Sequence, residues 1–275
     1  MTGNVRRRET QGATEAATHR TDPSVDPAEV ERFAQLAERW WDPLGAFRAL
    51  HALNPVRIAY VRNALVRDGL ASEAGRSGRK QGTGSLKPLT GLTVLDVGCG
   101  GGLMAEPMCR LGAEVVAIDA VEPNVRAARL HAEEQGLAID YRFATAEALA
   151  ADGKRFDAVL ALEIVEHVAD LDAFAVALAD LVKPGGSLVV ATLNRTLAAY
   201  ALAIVAGERI LGWLPPGSHD WSRFVRPAEM VRLLRRHGFA VADMQGMVYN
   251  PLAGGWTTSR NVAVNYIVHA RKPRA

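Results

Sequence analysis

Apolar positions along most of the chain fall into a repeating strand and helix rhythm. Two short apolar runs, 92–97 and 113–118, flank a glycine-rich turn and a segment at 103–111 with helical spacing. The rhythm then repeats. Residues 124–135 read as a helix, 139–143 as a strand, and 156–162 as a strand whose nearly continuous apolar run predicts burial on both faces. A helix over 171–182 leads through Lys183-Pro184-Gly185-Gly186, a turn, into a strand at 187–192. A helix over 227–237, stopped by Gly238, precedes two closing strands at 239–244 and 262–270. Strands separated by helices predict an α/β fold, a doubly wound, mostly parallel sheet of seven strands.

Upstream, Asp26-Pro27-Ala28-Glu29 is a helix start, with an acid at the N-cap and proline at the first position. Val30, Phe33, Leu36, Ala37 and Trp40 follow at three- and four-residue spacing, which predicts one helix up to Trp40. Asn54-Pro55-Val56-Arg57 leads into a second helix through Tyr60, Val61, Ala64 and Leu65. The expected organisation is a disordered polar tail (1–26), a helical cap (27–71), a flexible Gly-, Ser- and basic-rich linker (72–88) and the sheet domain (89–275), with an apolar insertion at 195–225.

Composition narrows the function. Lys and Arg total 32 and Asp and Glu 30, a net charge of +2, which gives no basis for a nucleic-acid partner. The two cysteines, Cys99 and Cys109, lie within one strand–helix unit, so a disulfide framework is not expected and a reducing, cytoplasmic setting is. No apolar run reaches the length of a membrane span, and no secretory apolar region follows Met1.

The glycine turn carries the first chemical signal. Gly98-Cys99-Gly100-Gly101-Gly102 follows Asp96 at a strand end, and Asp119 ends the next strand about 20 residues later, where a Rossmann-type fold puts the acid that holds a ribose hydroxyl pair. A dinucleotide fingerprint requires glycine at 103, where this chain has Leu103. D-V-G-C-G-G-G instead resembles the cofactor loop of the class I S-adenosylmethionine-dependent methyltransferases, a Rossmann-like family.

Glu163-Ile164-Val165-Glu166-His167 carries the second. It follows the fourth strand, at the sheet end where open α/β folds place ligands. On a helical turn Glu163, Glu166 and His167 would share one side, to chelate Mg²⁺, Mn²⁺ or Zn²⁺, to do acid–base work, or simply to cap a helix entry. His219 and Asp220 are either an acid–base pair or a loop-ordering pair. Tyr249-Asn250 and Asn265-Tyr266 either line a phenolic pocket or pack as strands and turns. The segment 197–213, rich in Leu, Ile, Val and aromatics between Arg195 and Arg209, is either a core helix or an interfacial lid.

R-W-W-D (Arg39 to Asp42), L-H-x-x-N-P-x-R (Leu50 to Arg57), E-x-x-E-H-V, L-V-K-P-G-G, T-L-N-R (Thr192 to Arg195), P-x-G-x-H-D (Pro215 to Asp220) and Y-N-P together resemble the ubiquinone-biosynthesis O-methyltransferases. The resemblance implies methylation of polyprenyl catechol and demethylubiquinol intermediates. It implies S-adenosylmethionine contacts at Arg57, Gly98, Asp119 and Leu162, with Gly100 in the same loop, and a divalent cation at Glu163, Glu166 and His167. A metal there would acidify a catechol hydroxyl; without one, His167 or His219 would be the base. The expected partners are the polyprenyl substrate, an anionic membrane surface at the inner face and other enzymes of the pathway. The alternatives are a methyltransferase for another small phenolic compound and an inactive scaffold on the same fold. The N-terminal tail and the basic linker depart from the family pattern.

Overall fold

The computed structural model describes residues 22–70, 87–202, 220–250 and 254–274. Five parallel strands form in chain order: β1 (Thr93–Val97), β2 (Glu114–Asp119), β3 (Asp140–Phe143), β4 (Phe156–Leu162) and β5 (Val182–Leu193). Three antiparallel partners close the sheet: β6 (Ala240–Asn250), β7 (Gly255–Ser259) and β8 (Asn265–Arg271). The spatial order is β3-β2-β1-β4-β5-β8-β6-β7. The doubly wound prediction holds, with eight strands among the described residues where seven were expected.

The eighth strand is β7. Its sequence, Gly-Trp-Thr-Thr-Ser, lacks the apolar alternation of its neighbours, and it pairs only with an extension of β6 beyond the predicted end. That extension passes Gly246, where a side chain would drive a Cβ to 1.8 Å from the Asn261 carbonyl oxygen. The Lys183–Gly186 turn is absorbed into β5 as a bulge: the β4–β5 register runs Phe156↔Val182 and then Ala158↔Ser187.

Helices α1 (Pro27–Ala34) and α2 (Arg48–Arg67) precede the sheet. Asp26 caps α1, accepting from the Ala28 amide at 3.0 Å. The single helix predicted up to Trp40 breaks after Ala34 into a 3₁₀ turn at Ala37–Arg39. The break turns Trp40 down onto the glycine loop, where it stacks on Phe47 with ring centroids 3.6 Å apart. Helix α2 starts before Pro55 and contains it. Its Tyr60, Val61 and Leu65 join the core on one face of the sheet with Val94, Leu160 and Ile267. The other face buries Leu95, Val159 and Val190 against Phe174, Leu178 and Leu181 of α6 (Leu171–Leu181). Between these come α3 (Ala105–Arg110), α4 (Glu122–Glu134) and α5 (Ala146–Ala151), and α7 (Pro227–Arg236) follows.

Candidate functional site

The glycine loop leaves β1 by a sharp turn. The amides of Gly98 and Cys99 both donate to the Ile118 carbonyl, at 2.9 and 3.0 Å. Gly98 and Gly100 have φ of 70° and 53°, in the left-handed region. A Cβ at Gly98 would stand 2.2 Å from Ile164 Cδ1, and one at Gly100 2.4 Å from the Trp40 ring. Asp119, at the end of β2, accepts from the Gly100 amide and the Val121 amide, both at 2.8 Å, and from Asn124 at 3.4 Å. Asn124 in turn accepts from the Trp40 indole at 2.8 Å. Burial pushes the Asp119 carboxyl up to about 6, against the pull of these hydrogen bonds. The acid and the loop are thus one hydrogen-bonded unit.

Arg57, buried on α2, donates to Asn54 at 3.1 Å, and Asn54 donates to the Leu103 carbonyl at 2.6 Å. Its guanidinium lies 3.7 Å from Glu163. Burial pushes the Asp96 carboxyl up to about 7; Arg57 opposes this and the Asp119 charge adds to it. Asp96 Oδ2 and Arg57 Nε are buried without a hydrogen-bond partner among the described residues. A buried acid and a buried guanidinium with spare capacity suit the ammonium and carboxylate of an amino-acid end group. With Asp119 at the end of β2, where the sequence expectation puts a ribose contact, they fit the chemistry of S-adenosylmethionine. Leu162, at the end of β4, lines the same cavity.

The turn after β4 corrects the sequence expectation. It is not helical; the His167 amide bonds back to the Ile164 carbonyl at 2.8 Å. Glu163 has φ of 55°, the only positive value at a non-glycine among the described residues. The three side chains do not share one side. Glu163 and His167 line the cavity. Glu166 is buried and accepts from Thr192 Oγ1 at 2.8 Å. Burial, with the Glu163 charge adding to it, pushes the Glu166 carboxyl up to about 8. His167 Nδ1 lies 2.9 Å from Glu29 of α1 and 3.3 Å from Arg32, and Phe33 meets its ring edge-on at 5.2 Å. Among the described residues no group of three His, Cys, Asp or Glu side chains is arranged to hold a metal. As they stand, the three residues do not fit the expected divalent ion.

His219 and most of the apolar segment 197–213 lie outside the described residues, as do residues 1–21 and 71–86 of the tail and linker. Asp220 caps a short turn, accepting from the Ser222 amide at 2.9 Å. Asn265 accepts from the Met247 amide and also lines the cavity, whereas Tyr266 donates to the Val225 carbonyl and packs within the sheet. Tyr249 lines the cavity.

One cavity of about 1020 Å³ joins all these parts, from Asp119 and Thr145 past Glu163 and His167 to Tyr249 and Trp256. Pockets for drug-sized ligands run to roughly 1,000 Å³, so there is space for a cofactor and an acceptor together. Part of its wall is the segment around α1, tied down where Ala169 donates to the Ser24 carbonyl at 2.9 Å and Arg223 pairs with Asp26 at 2.7 Å. Neither Glu29 nor Trp256 was legible as a site residue, because each reaches the cavity only through long-range packing.

A methyltransferase domain model matches residues 95–190. The chain is 52% identical over 252 residues to the ubiquinone biosynthesis O-methyltransferase of Chelativorans sp. strain BNC1, covering 92% of this chain and 96% of that one. It is 48% identical over 255 residues to the protein of the same description from Methylobacterium sp. strain 4-46, covering 93% and 98%. Among solved structures, magnesium protoporphyrin IX methyltransferase from Synechocystis PCC 6803 shares the fold at a TM-score of 0.50 and 23% identity, covering 80% of this chain and 86% of that one.

Proposed function

Because this chain belongs to the ubiquinone biosynthesis O-methyltransferases, we propose that its cavity is a cofactor half and an acceptor half meeting at Glu163 and His167. The chain methylates phenolic intermediates of ubiquinone biosynthesis. S-adenosylmethionine supplies the electrophilic methyl group. Asp119 takes the ribose hydroxyls, with Gly98 and Gly100 giving the backbone close approach. Arg57 and Asp96 take the two charges of the amino-acid end, and Leu162 packs against the cofactor. His167 removes the proton of the attacking hydroxyl, and Glu163, held in its left-handed conformation beside Arg57, orients that hydroxyl.

One observation carries this reading: a single cavity runs from Asp119, the ribose acid, to His167, a base candidate at the end of β4. Since Glu163, Glu166 and His167 do not converge, no step is routed through a metal. The test is methyl transfer to a catechol bearing a short isoprenoid chain, with cofactor binding followed separately. His167→Asn is expected to lower kcat by about 10²–10⁴-fold while leaving S-adenosylmethionine affinity intact. Unchanged kcat would remove His167 from the chemistry.

The membrane partner belongs to the same proposal. The acceptor carries a hydrocarbon tail, and Leu197, at the start of the apolar segment after β5, is 81% exposed. No helix among the described residues is long and apolar enough to cross a membrane. Both facts favour peripheral contact at an anionic inner surface through that segment.

A further inference from the structure

We infer that the β6–β7 hairpin reads the isoprenoid substituent of the acceptor, with Trp256 and Tyr249 as the specificity-determining pair. The inference rests on the proposed division of the cavity. Strand order puts the cofactor loop and Asp119 on β1 and β2, the Glu163–His167 turn after β4, and the hairpin on the far side of β5 and β8. A phenolic ring held at His167 therefore has the nucleoside half on one flank and the hairpin on the other. The nucleoside flank carries the polar groups of Asp119, Asn124 and Thr145 among apolar neighbours such as Ile118 and Val121. The hairpin flank offers the larger apolar side chains, Met247, Tyr249 and Trp256, with Asn261 and Asn265 as its polar groups. A hydrocarbon substituent next to the hydroxyl belongs on the second flank.

The hairpin is built for that contact. Tyr249 and Trp256 are direct partners in the β6–β7 ladder, so their side chains stand on one face. Their rings meet edge to face, with centroids 5.9 Å apart at 69°. Trp256 is half-buried, packed against the core that includes α2, and is thereby held in place. Tyr249 is 56% exposed although it lines the cavity, which leaves a large aromatic face in water at the rim. A branched five-carbon unit lying across the pair would cover that face.

The experiment compares an unprenylated catechol with a catechol carrying one isoprene unit. It reads kcat/KM for each, and by calorimetry the affinity of each for the protein saturated with S-adenosylhomocysteine. Trp256→Ala is expected to lower the preference for the isoprenylated compound by about tenfold or more, in both readouts, with the unprenylated compound and S-adenosylhomocysteine affinity changed less than about twofold. Trp256→Phe should restore part of the preference. Tyr249→Ala, at an exposed position where folding is not at stake, should move it in the same direction. Equal losses on both compounds, or an unchanged preference in both variants, would overturn the assignment. If the wild-type protein methylates neither compound, the catechol reading fails, while the binding preference still tests the hairpin.

Discussion

His167 Nδ1 stands 2.9 Å from Oε2 of Glu29, which joins the end of β4 to a helix near the start of the described chain. A carboxylate at Nδ1 favours the tautomer with its proton there and leaves the basic lone pair on Nε2. Burial pushes the Glu29 carboxyl up, but the hydrogen bond and charge of His167, with Arg32, hold it below the usual range. Glu29→Gln keeps the shape and removes the charge. It is expected to lower kcat by about 10–100-fold with cofactor affinity unchanged, as loss of an outer-shell partner of a functional histidine does. Steady-state kinetics beside calorimetry checks this. Because the folded value is depressed, the pair stabilises the docked helix above the ordinary glutamate range, and that contribution is lost as pH falls through the folded value.

Asp119 holds the glycine loop and is proposed to hold the ribose. Asp119→Ala should weaken S-adenosylmethionine binding by about 1.5–3 kcal/mol, the worth of hydrogen bonds to a charged group. Unchanged affinity in calorimetry would take Asp119 out of the cofactor site.

Asp96 gives the cofactor site a pH dependence. Its carboxyl is pushed up to about 7, mainly by burial. Below that value it is neutral and cannot pair with an ammonium; above it the pair forms. Between pH 6 and pH 8 the ionised fraction rises by about tenfold, and affinity for S-adenosylhomocysteine should tighten by up to that factor. Asp96→Asn should remove this share of the slope. A wild-type slope that survives the substitution would assign it to another group.

Glu166 is bonded to Thr192 and His167 to Glu29, so a divalent ion at this turn would have to displace both. Mg²⁺ or Mn²⁺ should therefore bind poorly to the free protein. A catechol should not rescue that binding, because it frees neither Glu166 from Thr192 nor His167 from Glu29. Calorimetry with and without catechol measures it. Turnover should survive a chelator, as proton removal by His167 requires; turnover abolished by a chelator and restored by metal would overturn that assignment.

Leu197 tests the membrane reading. Leu197→Glu puts a charge at an 81% exposed position outside the cavity wall. Flotation with anionic liposomes should fall, and turnover of a short-chain soluble catechol should be unaffected. Undiminished flotation would move the contact away from the start of this segment.

The sequence by itself determined the parallel half of the sheet, the glycine loop and the acid at Asp119. These are local: strand alternation, turn glycines and a fixed spacing act over a few tens of residues. It also marked the Glu163–His167 turn, since that turn follows a recognisable strand. Only the tertiary structure decided where those side chains point. A positive φ at Glu163 and the hydroxyl of Thr192 turn Glu166 inward, and Glu29 claims His167. β7 was equally illegible, because a Gly-Trp-Thr-Thr-Ser stretch becomes a strand only beside an extended β6 that Gly246 lets pass close to Asn261. The break before Trp40 has the same origin: helical periodicity predicts continuation, and the indole's contacts with Phe47 and Asn124 override it. Propensity and spacing are properties of neighbouring residues, whereas the direction of a side chain is set by packing partners distant in sequence.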